Sequence, residues 1–136
     1  MNKEFVPYEQ ALALKELEFD EPCFSFYDSE KELYESEGVY KKDYNVFGEE
    51  VLSPLYQQAF RWFREKYNID CYVESKLLIT GDSIYDYTIL VNEGDEWEDD
   101  VRYKTYEEAE LACLIKLIEI ANKIKYSSSD VPTYYN

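Results

Sequence analysis

Apolar and polar positions along this chain switch between two periods. Tyr8, Ala11, Leu14 and Leu17 recur every three residues, with Leu12 at the margin. That spacing marks the buried stripe of a helix over about residues 7–18. Pro7 suits the first turn, where its missing N–H costs nothing. Phe19-Asp20-Glu21-Pro22 ends the helix, because a residue before proline avoids the helical region. From Cys23 to Tyr27 the period drops to two, which places Phe24 and Phe26 on one face of a short strand. Asp28-Ser29-Glu30-Lys31 has turn chemistry, and residues 32–35 are expected to pair back as a second strand. Residues 36–52 carry a weak pattern, punctuated by Gly38 and Gly48. They read as a long excursion holding one edge strand.

Ser53-Pro54 reads as a helix start, a capping hydroxyl followed by proline at the first position. Tyr56, Ala59, Phe60, Phe63 and Tyr67 then form an apolar face, with Leu55 and Trp62 off the stripe. Cys71 to Thr80 alternates, Thr80-Gly81-Asp82-Ser83 signals a hairpin turn, and Ile84 to Val91 alternates again. Tyr85, Tyr87, Ile89 and Val91 share one face of that return strand. Residues 101–104 are expected to form a short last strand. Thr105 caps a third helix, with Glu108 completing a capping box, and the helix runs to about Lys125. Its buried face is Tyr106, Ala109, Cys113, Leu117, Ile120 and Ile124, widened by Leu114 and Ile118. Residues 127–136 read as a frayed tail.

One phrase opens all three helices. Tyr8-Glu9-Gln10-Ala11 recurs as Tyr56-Gln57-Gln58-Ala59 and as Tyr106-Glu107-Glu108-Ala109, starting 48 and then 50 residues later. Cys23 and Cys71 each stand fifteen residues after the tyrosine of their own copy. The alanine sits one turn into each helix, where a small side chain permits close approach to a sheet. The tyrosine can lie over the sheet edge with its hydroxyl in water. The expected fold is therefore α+β: three helices packed on one face of an antiparallel sheet, in the order α-ββ-α-ββ(β)-α. It contains a twofold αββ repeat, units about 5–52 and 53–104, closed by a helix at 105–125. Residues 1–126 are expected to form a single domain.

Three stretches together carry a resemblance. The first runs from Pro7-Tyr8-Glu9-Gln10-Ala11-Leu12 to Phe19-Asp20-Glu21-Pro22-Cys23-Phe24, and the second from Tyr56 to Tyr67. The third runs from Tyr103-Lys104-Thr105-Tyr106 to Leu114. They resemble a family of small proteins of Bacteroides-type gut bacteria and their tailed phages. The resemblance covers most of the chain outside residues 36–52, the acidic loop and the tail. It implies a phage or prophage setting. The family has no activity to carry over, so no residue inherits a role from it.

Composition narrows the function. The net charge is −16, from 30 acidic and 14 basic residues. Such a chain repels phosphate backbones, which argues against direct nucleic-acid binding, and it attracts basic surfaces. No apolar run is long enough to span a bilayer, and Met1-Asn2-Lys3-Glu4-Phe5 lacks the apolar core of a signal peptide. The expected location is the cytoplasm, of the host if the chain is phage-encoded, with no membrane partner. The odd count of cysteines, Cys23, Cys71 and Cys113, argues against a closed disulfide framework. Without histidine or a CxxC pair they read as small buried hydrophobes, not as metal ligands.

Catalytic chemistry finds no foothold in the pattern. There is no histidine to serve as base, no triad arrangement and no glycine-rich phosphate loop. The expectation is a non-enzymatic factor without cofactor or metal. Its partner would be a protein with a basic surface, in a phage setting a host protein that it affects or inhibits; self-association stays open. The candidate surface is the acidic segment Asp95, Glu96, Trp97, Glu98, Asp99 and Asp100, with Tyr40 and Tyr44 from the excursion. Aromatics anchor interfaces, and fifteen tyrosines exceed the needs of a core this size. Asn92-Glu93-Gly94-Asp95-Glu96 does not follow the EF-hand order of calcium ligands and reads as a solvated hairpin tip. Two alternatives are a DNA-mimicking anti-defence protein, to which Glu93–Asp100 would contribute, and a small enzyme or ligand binder built on paired carboxylates.

Overall fold

The computed structural model describes residues 3–40, 50–91, 95–98 and 101–130, with side chains described outside 36–40, 95–98 and 126–130. The fold is α+β, with three helices and two antiparallel three-stranded sheets among the described residues. The chain divides into two compact units, residues 1–59 and 60–136.

The first unit holds α1 (Tyr8–Glu16), β1 (Cys23–Tyr27), β2 (Leu33–Tyr40) and β3 (Val51–Ser53), with β1 central in the order β2-β1-β3. Helix α1 ends in a Schellman arrangement. The Phe19 N–H donates to the Leu14 carbonyl and the Glu18 N–H to the Lys15 carbonyl, both at 2.9 Å. The αL position usually given to glycine is held by Glu18, at φ 71°. Leu14 and Phe19 are both buried at that corner. The β1–β2 turn is an Asx turn. Asp28 Oδ1 accepts from the N–H groups of Glu30 and Glu32, each at 2.9 Å. On β1 the buried face is Cys23, Ser25 and Tyr27, while Phe24 is exposed and Phe26 half-buried. The two phenylalanines do share a face, but it is the outer one. There Phe26 stacks on its cross-strand partner Tyr34, with ring centroids 5.6 Å apart.

Ser53-Pro54 does not cap a helix. Ser53 ends β3, and helix α2 (Tyr56–Tyr67) starts three residues later. The intervening residues pair with the N-terminal segment: Val6 N–H donates to the Pro54 carbonyl at 2.9 Å and Tyr56 N–H to the Glu4 carbonyl at 3.1 Å, around a bridge between Phe5 and Leu55. The Ser53 hydroxyl donates to the buried Val6 carbonyl instead of a helix end. A long-range pairing has overridden a local capping signal.

The second unit opens with most of α2 and continues through β4 (Ile69–Leu77), β5 (Ser83–Val91), β6 (Asp95–Glu98) and α3 (Tyr106–Asp130), with β5 central in the order β4-β5-β6. Asn68 follows α2 at φ 58°, the usual αL helix stop. Trp62, off the expected stripe, is nevertheless buried. It meets Phe63 and Tyr67 at 5.1 and 5.7 Å, and the Lys66 ammonium lies 5.2 Å from its ring centroid. Helix α3 buries Ala109, Cys113, Leu114, Leu117, Ile118, Ile120 and Ala121. Its N-terminus shows the Thr105 hydroxyl accepting from the Glu108 N–H at 3.1 Å. Of the expected last strand, Tyr103 alone pairs, bridging to Tyr85.

The repeated phrase has one structural meaning in all three copies. Each helix begins at the tyrosine, and each alanine N–H makes the first helical bond, to the carbonyl of Pro7, Leu55 or Thr105. All three alanines are buried, Ala11 in the first unit beneath a helix that packs on β3. Beyond the helices the first two copies each lead into a three-stranded antiparallel sheet, but the strand orders differ. Cys23 opens a central strand, whereas Cys71 is the third residue of an edge strand.

Candidate interaction surface

The acidic segment is partly a strand. Backbone residues Asp95, Glu96, Trp97 and Glu98 form β6 and pair antiparallel with Val91, Leu90, Ile89 and Thr88 of β5. Their high charge hid a strand that the alternation of β5 next to them supports. Tyr40 is the last residue of β2, opposite Cys23. The side chains of these five residues, and all of Tyr44, Glu93, Asp99 and Asp100, lie outside the described residues. The described surface contains none of those candidate side chains.

It does present a different site. Strands β4 and β5 pair over nine positions, from Ile69↔Val91 to Leu77↔Ser83. At one end Ile69, Tyr87 and Ile89 are buried. Toward the other end burial vanishes: Glu74, Ser75, Lys76 and Leu77 are all exposed, although successive residues point to opposite faces. The distal half of the hairpin thus stands clear of cover on both faces of β4. The turn at its end is well defined. Leu78 N–H donates to the Asp82 carbonyl at 2.8 Å and Gly81 N–H to the Leu78 carbonyl at 2.9 Å. Gly81 sits at φ 95°, a conformation that L side chains avoid, while the space around it is open. The Thr80 hydroxyl donates to the Asp82 carboxylate at 3.2 Å. Lys76 braces the arm through an ion pair to Asp86 on β5, at 3.0 Å.

Three consecutive large apolar side chains occupy this end: Leu77 is 77% exposed, Leu78 40% and Ile79 107%. Single exposed apolar residues are ordinary, but a contiguous run at a protruding tip marks a contact surface. The strand alternation made the hairpin legible and the tip invisible, because periodicity does not say whether a core lies beneath. The usable signal was the break in period, Leu-Leu-Ile just before Thr-Gly-Asp, where a turn should be polar. Hairpin charges near the tip are mostly acidic: Glu74, Asp82 and Asp86 against Lys76.

Elsewhere, among the described residues, no group of three or more metal-ligating side chains converges. No helix there is long and apolar enough to cross a membrane. No protein-family model matches the chain, and neither curated proteins nor solved structures yield a match.

Proposed function

We propose that this chain is a non-enzymatic protein-binding factor whose β4–β5 hairpin is the engaging arm. The exposed run Leu77-Leu78-Ile79 at a turn closed by backbone hydrogen bonds carries this reading. The partner is a protein with an apolar cleft rimmed by basic side chains. The cleft takes the leucines and isoleucine, and the rim matches the acidic hairpin and the net charge of −16. That charge weighs against an anionic lipid surface, which repels acids and attracts lysine and arginine clusters. In the phage setting of the resemblance, such a factor is an effector or inhibitor of a host protein.

The test is photo-crosslinking in cells, with a photoreactive amino acid at Leu78 and, as control, at exposed Glu107 on α3. The expected result is a discrete adduct from position 78 alone, mapping to an apolar surface bordered by lysine or arginine. Equal capture from both positions, or crosslinking of position 78 to lipid, would overturn the proposal.

A further inference from the structure

The second unit contains a thiol pair that the binding reading does not use. Cys71 is half-buried on β4 and Cys113 is buried on α3. Their proximity follows from the packing of α3 on the hairpin. The Tyr106 ring meets that of Tyr85, edge to face, with centroids 6.1 Å apart. Seven residues along α3, about 10.5 Å, lead from Tyr106 to Cys113 on the same helix face. Four residues along β5, about 13 Å, lead from Tyr85 to Ile89 on the same sheet face. Ile89 is the cross-strand partner of Cys71. That alignment brings the Cys71 side chain beside Cys113. Its nearness, then burial and the nearby negative charge, holds the Cys113 thiol well above the ordinary thiol range. The third cysteine differs. Buried Cys23 donates its S–H to the Glu21 carbonyl at 3.3 Å, in the other unit.

We propose that Cys71 and Cys113 are an oxidation site, closed to an intramolecular disulfide by peroxide. Cys71 reacts first, being the more accessible. Its thiolate attacks one oxygen of hydrogen peroxide, the O–O bond breaks, and the departing hydroxide takes a proton to become water. Cys71 is left as sulfenic acid. The Cys113 sulfur then attacks the Cys71 sulfur. The S–S bond forms, the S–OH bond breaks, and the Cys113 proton leaves with the hydroxide as a second water. Two thiols and one peroxide thus become one disulfide and two waters. The second step is slow at neutral pH and accelerates as the pH rises, because Cys113 gives up its proton reluctantly. The disulfide would tie the base of the hairpin to α3, whether or not the tip binds a partner.

The experiment treats the whole chain with hydrogen peroxide and then alkylates it under denaturing conditions. The mass before alkylation should fall by about 2 Da. Alkylatable thiols should drop from three to one. Peptide mapping should link Cys71 to Cys113 and leave Cys23 alkylated. In Cys113→Ser, Cys71 should stall as a sulfenic acid that dimedone traps, while Cys71→Ser should resist oxidation. Retention of all three thiols in the treated wild-type chain would overturn the proposal. So would a link to Cys23, or one found only between molecules. The wild-type mapping decides even where a variant fails to fold.

Discussion

Removing the two hydroxyls that share the Val6 carbonyl should cost more together than the sum of the separate losses. Val6, Ser53 and Tyr27 are buried. The carbonyl accepts from Ser53 Oγ at 2.8 Å and from Tyr27 Oη at 2.9 Å, which uses both of its lone pairs. Tyr27→Phe keeps the ring, which meets Tyr8 edge to face at 5.5 Å, and Ser53→Ala keeps nearly the whole volume. Each single change leaves one donor in place and should cost about 1 kcal/mol, the net worth of one hydrogen bond. The double change leaves a buried carbonyl with no side-chain donor and adds about 1–3 kcal/mol for the unsatisfied group. The cycle is read by urea titration of the four proteins at constant m-value. A coupling of about 1 kcal/mol or more is expected. If Ser53 were instead the cap of α2, its loss would cost the same with or without the Tyr27 hydroxyl. Additivity within about 0.5 kcal/mol would therefore refute the shared-acceptor account.

Three further outcomes follow from the packing. Ala59→Leu should destabilise by about 1–3 kcal/mol, because the alanine is fully buried one turn into α2; an unchanged melting temperature would contradict that placement. Glu18→Gly should stabilise by about 1 kcal/mol, since Glu18 holds φ 71° at the end of α1 and glycine meets no Cβ penalty there; calorimetry showing a loss would refute it. The Cys23 thiol is pushed up to about 12 from an ordinary value of 9.0, first by burial and then by the Glu21 charge. A raised folded-state value favours the protonated form, so this contribution is intact below pH 9 and is lost as pH rises from 9 toward 12. Stability measured against pH should fall across that window, and Cys23→Ala should flatten the fall; an equal slope in the variant would remove Cys23 as its cause.

What could be read in advance was local. The tyrosine-alanine phrase falls at all three helix starts, although Ser53-Pro54 pointed to an earlier start for α2, because a helical register depends on neighbours three and four residues away. The Asp28 turn and the Gly81 turn were legible for the same reason. Three features were not. The role of Ser53 depends on residues 4–6, far away in sequence, and no local pattern reports that pairing. Strand β6 is made of Asp95, Glu96, Trp97 and Glu98, a composition that strands disfavour, and it forms because β5 offers an edge. The apolar tip depends on what does not cover it. The acidic segment stands out by its charge, whereas Leu77-Leu78-Ile79 reads in sequence as the end of an alternating strand.

The central claim is that the tip of the β4–β5 hairpin binds a protein partner. Its most direct test is the affinity of the captured partner for the wild-type chain and for Leu77→Asp/Ile79→Asp. Both side chains are largely exposed in the free protein, so the double variant should keep its folding midpoint. Burying a leucine and an isoleucine in a cleft contributes about 1.5–3 kcal/mol each, so the variant should bind at least about 100-fold more weakly. Unchanged affinity in a variant that folds normally would contradict the account.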